Sequence, residues 1–286
     1  MSKKPPLAIV YDFDGTLAPG NMQERNFIPA IGMNTKKFWD QVKEESQKHQ
    51  ADNILMYMKL MLDKAQAASV QVYKSNFKSY GNKLLFFEGV QKYIIDGIHK
   101  KGWFDRINEY GKESGVKVEH YIVSSGIKGM IEGTPIAKKF RAIYASSFWY
   151  DHHNIAVWPA LAINFTTKTQ YLFRINKGSL DVSDNDKINE YIREKDRPVP
   201  FRNMIYIGDG YSDIPCFRLV KDRGGHSIAV YKPNTKGAKD TPKKLISDGR
   251  VNFMAPADYK ENSTIDRIIK ALIDKVAHDD YVYKIQ

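Results

Sequence analysis

Two carboxylates one residue apart, Asp12 and Asp14, follow the apolar run Ile9-Val10-Tyr11, and Gly15, Thr16 and Leu17 come directly after them. A buried strand normally sheds apolar residues where it ends; it does not plant two anions at its tip. Carboxylates this close repel each other unless a cation lies between them or one of them keeps a proton. The pattern therefore points to a metal site, a nucleophile with a neighbouring acid or base, or both. The plain alternative is an Asx-type strand end, since Asp and Gly dominate turns. Two further apolar runs end in a similar way. His120-Tyr121-Ile122-Val123 leads into Ser124-Ser125-Gly126, and Met204 to Gly208 leads into Asp209-Gly210-Tyr211-Ser212-Asp213. In open α/β sheets functional groups gather beyond the carboxyl ends of the strands. Three such ends in one chain are hard to read as three ordinary turns.

The elements that must carry these ends can be read from periodicity. Residues 35–48 and 52–67 form amphipathic helices, with Ile54, Leu55, Met58, Met61 and Leu62 on one apolar face. Asn34 or Thr35 caps the first, and Asp52 caps the second. Helical character continues over 70–80, so residues 18–84 form an all-helical insert, and its methionines are core packing. A helix runs from Val90 through Ile94, Ile95 and Ile98, past Gly102 and on to Tyr110. A strand over 120–123 precedes a helix over 127–132. Residues 142–165 alternate as a β-hairpin that turns at Asp151-His152-His153-Asn154, with Trp149, Tyr150 and Trp158 packing across the strands. Helices over 170–176, 184–195 and 263–276 alternate with strands over 204–208, 227–231 and 251–254; residues 232–244 read as a polar surface loop. Strands alternating with helices predict a parallel sheet covered on both faces.

The chain has 286 residues and a formal charge of +11. That charge favours anionic partners, but the lysines and arginines are dispersed and no RNA-binding aromatic motif occurs, so nucleic acid is not the expected partner. The single cysteine, Cys216, excludes an intrachain disulfide framework and a cysteine-based zinc site. No apolar run approaches the roughly 20 residues that span a bilayer, and the first residues lack the pattern of a secretory signal. A cytoplasmic protein without a membrane partner is the expectation, and small phosphate esters qualify among anionic partners.

With these residues in place, the chain resembles the haloacid dehalogenase (HAD) superfamily of phosphohydrolases. Asp12-Phe13-Asp14-Gly15-Thr16-Leu17 resembles its first motif, Ile122 to Gly126 its second, and Gly208-Asp209-Gly210-Tyr211-Ser212-Asp213 its fourth. Lys168, in Thr167-Lys168-Thr169, fits the lysine of the third, with Lys177 as a rival. The resemblance implies a three-layer, doubly wound, Rossmann-like α/β core with a parallel sheet, built from residues 1–17 and 85–286. Residues 18–84 would be a helical cap of the phosphoserine-phosphatase-like type. It also implies roles: Asp12 as nucleophile, forming an aspartyl-phosphate, and Asp14 as general acid and base. Ser124, Ser125, Gly126 and Lys168 would bind phosphate, the two amides opening the next helix. Asp12, Asp14 (through its backbone carbonyl), Asp209 and Asp213 would hold Mg²⁺ in an oxygen-only site. Glu24 and Arg25 stand where cap residues reach the substrate. The long hairpin over 142–165 and the polar stretch over 179–202 depart from the phosphoserine phosphatase pattern, so phosphoserine is not assigned. A phosphotransferase or mutase on the same scaffold, or a non-catalytic nucleic-acid-binding module, are the alternatives.

Overall fold

A computed structural model describes residues 5–285. Nine strands are assigned: β1 (Leu7–Tyr11), β2 (Tyr93–Ile95), β3 (Ile98–Lys100), β4 (Val118–Ile127), β5 (Ala142–Tyr150), β6 (Ala156–Leu161), β7 (Met204–Gly208), β8 (His226–Tyr231) and β9 (Phe253–Pro256). Seven of them form one sheet in the order β6-β5-β4-β1-β7-β8-β9. Every pairing in that sheet is parallel except the hairpin β5–β6. All five residues of β1 are buried, as a central strand covered on both faces requires.

The pleat of β1 divides its side chains between two cores. Leu7, Ile9 and Tyr11 enter a cluster shared with Trp103, Phe104 and Ile107 of helix Trp103–Glu113 and with Ile265, Ile269 and Ile273 of helix Thr264–Ile285. Ala8 and Val10 enter a second cluster, with Leu172 and Ile175 of helix Lys168–Lys177 and Phe217 and Val220 of helix Ile214–Asp222. The result is the expected helix–sheet–helix arrangement in three layers.

Between β1 and β2 all regular structure is helical among the described residues: Met22–Arg25, Phe27–Ala30, Thr35–His49, Asn53–Ala67 and Lys74–Asn82. Asn34 accepts a hydrogen bond from the Lys37 amide, and Asp52 accepts from those of Ile54 and Leu55, so both predicted caps form. These helices are packed onto the sheet. Phe77 stacks between Phe27 and Phe148 of β5, with ring centroids 6.1 and 5.4 Å apart. Among the described residues no helix is long and apolar enough to cross a membrane.

Three expectations need correction. Residues 93–100 form the hairpin β2–β3, and the helix starts only at Trp103. The cause is Asp96-Gly97: both residues are left-handed, with φ of 50° and 75°, which is the backbone of a tight two-residue hairpin turn. Ile94, Ile95 and Ile98, whose spacing suggested a helical core face, are exposed. The helix expected over 184–195 shrinks to Asn185–Asn189 and a short turn at Glu194–Asp196. The polar loop ends early, since a helix begins at Asp240.

A buried polar chain ties β1 to its neighbours. Trp103 Nε1 donates to the Tyr11 hydroxyl at 2.9 Å, Tyr11 lies 3.0 Å from His120 Nδ1, and His120 Nε2 lies 3.1 Å from Asn108 Oδ1. Because indole is only a donor, the chain is satisfied by a neutral His120 protonated at Nε2. Burial pushes His120 down to about 3. The unfolded chain then binds one more proton than the native state between about pH 6.5 and 3, so stability rises with pH across that window, by about 1.4 kcal/mol per pH unit. Urea unfolding of wild type and His120→Gln from pH 7.5 to 4 should show a shallower acid slope in the variant. Parallel slopes would contradict a neutral buried imidazole.

Candidate active site

β1 sits at the point where the strand order reverses, with β4 on one side and β7 on the other. The carboxyl ends of these three strands therefore open into one crevice. The Asp12 amide donates to the Ile207 carbonyl at 2.9 Å, which fixes the tip of β1 against β7. Beyond it the chain turns sharply: the amides of Leu17 and Ala18 both reach the Phe13 carbonyl, and Gly15 adopts φ +73°. A Cβ at Gly15 would lie 2.0 Å from Asp209 Oδ2, so the first turn needs glycine for its backbone and for the carboxylate pressed against it.

Lys168 is the centre of the charge pattern. It is 1% exposed, and its ammonium lies 3.0 Å from Asp12 Oδ2 and 2.8 Å from Asp213 Oδ1. Burial works against the ammonium, but the carboxylates of Asp12 and Asp213 outweigh it and hold its pKa above the ordinary value. Lys177 is elsewhere, donating to the carbonyls of Ile188 and Glu190. Asn164 prepares the Lys168 helix. Its side-chain oxygen accepts from the Thr166 and Thr167 amides, its carbonyl accepts from the Lys168 amide, and its Nδ2 donates to Asp52 of the helical insert.

Asp213 has all four acceptor positions engaged. Oδ1 accepts from Lys168 and Tyr206, and Oδ2 accepts from the amides of Asp209 and Gly210. It shapes the turn after β7 at such close range that a Cβ on Gly208 would lie 2.4 Å from its Cγ. Asp209 is different: no ion pair reaches it among the described residues. Burial, then the negative charges of Asp213 and Asp12, raise its pKa well above the usual carboxylate range. Oxygens of Asp12, Asp209 and Asp213 lie within 4.8 Å of one another. An underneutralised, partly buried carboxylate among hard oxygen donors fits a divalent cation. The Asp14 carboxylate is not part of this cluster.

Asp14 faces the helical insert, its Oδ1 accepting from the Met22 amide at 3.0 Å. Burial and the charge of Asp12 raise its pKa well above the usual carboxylate range. Burial likewise raises Asp12, to about 6, partly offset by Lys168. The two carboxylates thus point to different surroundings: one to the lysine and the acidic cluster, the other to the helical insert.

Ser124, Ser125 and Gly126 line the crevice, though not as a helix start. β4 extends to Ile127 with a break in its pairing after Val123, and the following helix spans only Lys128–Glu132. The Gly126 amide already donates to Ser124 Oγ at 3.1 Å. Glu24 and Arg25 do not line the crevice, and Glu24 accepts from Trp39 Nε1 and Asn21 Nδ2. The side chains that do line it from the insert, in a cleft of about 750 Å³, include Gln23, Trp39, Lys43, Asn53 and Tyr57. Tyr57 donates to the Ser125 carbonyl at 2.6 Å. Sequence gave no signal for these, because helix periodicity distinguishes apolar from polar faces but does not say which polar residue meets a strand end far along the chain.

The family model of the haloacid dehalogenase-like hydrolases matches residues 9–218. The chain belongs to this family. An uncharacterised protein of Borreliella burgdorferi is 31% identical over 281 residues, covering 91% of this chain and 93% of that one. Among solved structures, a HAD family hydrolase from Salmonella enterica serovar Typhi superposes with a TM-score of 0.56 at 13% identity, covering 95% of this chain and 72% of that one. A substrate-bound phosphoserine phosphatase complex superposes with a TM-score of 0.55 at 14% identity, covering 94% of this chain and 99% of that one. The fold of this HAD protein is thus of the phosphoserine-phosphatase-like type.

Neighbouring charges should respond oppositely to neutralisation. Lys168→Met leaves two buried carboxylates without their cation and should cost about 3–5 kcal/mol. Asp209→Asn removes a partly buried anion that lacks a partner, and in metal-free protein it should leave the unfolding temperature unchanged or higher. Thermal unfolding in chelator checks both; a large loss in Asp209→Asn would contradict the charge pattern.

Proposed function

We propose that the protein is a Mg²⁺-dependent phosphomonoesterase that works through an aspartyl-phosphate on Asp12. The observation that carries this reading is the division of labour in the first turn. Asp12 is paired with a buried ammonium. Asp14, two residues on, is held apart from it in surroundings that favour its protonated form.

In this reading an Asp12 oxygen attacks phosphorus in line with the ester oxygen. Asp14 donates its proton to that oxygen as the P–O bond breaks, and later takes a proton from the water that hydrolyses the acyl phosphate. Lys168 neutralises charge on the phosphoryl oxygens while keeping Asp12 oriented, which is the main demand of phosphoryl transfer. The Ser124 hydroxyl adds a hydrogen bond there. Asp12 and Asp209, with the Asp14 carbonyl, would hold Mg²⁺, which when bound supplies further charge neutralisation. Asp213, with its acceptors already engaged, serves by fixing Lys168 and the Asp209 turn. Residues 18–84 act as the cap that shelters the reacting groups from water.

Release of phosphate from p-nitrophenyl phosphate should require Mg²⁺, stop with chelator, and fall to background in Asp12→Asn. Asp14→Asn should lower kcat about 10²- to 10⁴-fold for alkyl esters, whose leaving oxygen needs the proton, and less for the p-nitrophenyl ester. As pH rises through the elevated pKa of Asp14, the alkyl-ester rate should decline, because the acid form is lost. Equal turnover by wild type and Asp12→Asn would rule the mechanism out.

A further inference from the structure

Among the described residues, the carboxylates that line the cleft are Asp12, Asp14 and Asp209, the first of them paired with Lys168. Helix Thr35–His49 contributes Trp39, Val42 and Lys43 to the lining, and the chain from the end of β8 into helix Asp240–Ser247 contributes Tyr231, Lys232 and Thr241. Both lysines are exposed, and among the described residues neither has an ion-pair partner. Residues 232–244 add positive charge, carrying Lys236, Lys239, Lys243 and Lys244 against the single acid Asp240. Unpaired cations that line one cleft from two separate elements concentrate anions there.

Closer to the reacting end lies a polar group that lacks a partner. Gln23 is 2% exposed and lines the cleft, and its Oε1 accepts no hydrogen bond from the protein. Buried carbonyl oxygens are normally satisfied, so this one is set to receive a donor from outside the chain. Glu24, the neighbouring acid, is not among the residues that line the cleft, and its Oε1 accepts from Trp39 and Asn21.

We propose that the substrate's leaving group carries a second anionic group, a carboxylate or another phosphate, held between Lys43 and Lys232, and a hydroxyl that donates to Gln23 Oε1. This inference rests on the phosphomonoesterase reading and names its substrate class: hydroxylated esters with a further negative charge and no ammonium.

Two matched sets of esters test it. Phosphoserine, glycerol phosphate and phosphoglycerate share a three-carbon skeleton but release zwitterionic, neutral and anionic alcohols. A hexose monophosphate and the corresponding bisphosphate make the same comparison for a phosphate as the second anion. With Mg²⁺ present, kcat/KM for the anionic member of at least one set should exceed that of its neutral counterpart by about tenfold or more, and the advantage should shrink as salt is raised. The set that shows it identifies which anion is recognised. Lys43→Gln combined with Lys232→Gln should bring the anionic-to-neutral ratio close to one, while the two Lys→Arg changes retain it. Gln23→Leu should lower kcat/KM for glycerol phosphate more than for p-nitrophenyl phosphate, whose leaving group has no second hydroxyl. Circular dichroism and unfolding temperatures identify any variant that fails to fold, and for such a variant the Lys→Arg pair and the salt dependence decide. Preference for phosphoserine, no preference within either set, or an anionic preference unaltered by the double Gln variant would overturn the inference while leaving the phosphatase reading intact. Failure of wild type to release phosphate from any ester would overturn both.

Discussion

A lysine sealed inside the protein between two aspartates is the constraint around which the crevice is organised. Lys168 joins the tip of β1, through Asp12, to the turn after β7, through Asp213. The ammonium and the two carboxylates each offset the cost of burying the others, and removing one would leave uncompensated charge inside the protein. This mutual dependence fixes the separation of two strand ends far apart in sequence. Asp213 then passes the constraint on, since its second oxygen holds the amides that aim Asp209. Three carboxylates and one ammonium leave net negative charge in the crevice, and a divalent cation is the natural complement.

Much of this was legible in the chain because the chemistry stands at strand ends. Apolar runs fix where strands stop, so Asp12, Asp14, Ser124 and Asp209 could be placed together before any coordinates, and the three-layer sheet followed from the alternation of elements. Lys168 was assigned through the family resemblance, with Lys177 as a rival, and the helix expected over 170–176 begins at Lys168 itself. What escaped was set by long-range packing. Tyr57 reaches Ser125, and Asn164 reaches Asp52, across 68 and 112 residues of sequence. No local pattern encodes such a meeting. Glu24 carried a suggestive charge and position, and the structure engages its Oε1 with Trp39 and Asn21, which line the cleft where Glu24 does not.

The misread segment at 93–100 shows how two local signals can compete. The spacing of Ile94, Ile95 and Ile98 imitates a helical face, while Asp96-Gly97 specifies a tight turn. The turn prevails because its backbone requirement is strict, whereas an apolar side chain tolerates exposure at modest cost. Similarly, residues 232–244 look like inert surface by composition, but Lys232, after β8, and Thr241, in helix Asp240–Ser247, line the crevice.

Asp52 holds two things with one carboxylate. Its Oδ1 caps helix Asn53–Ala67, and its Oδ2 receives Asn164, the residue that organises the approach to Lys168. Tyr57, one turn further along the same helix, grips the Ser125 carbonyl. Any swing of that helix away from the sheet therefore unfastens both loops at once. In the proposed cap, the doorway and the grip would then behave as one part, because the helix that opens is bonded to the loops on either side of the crevice.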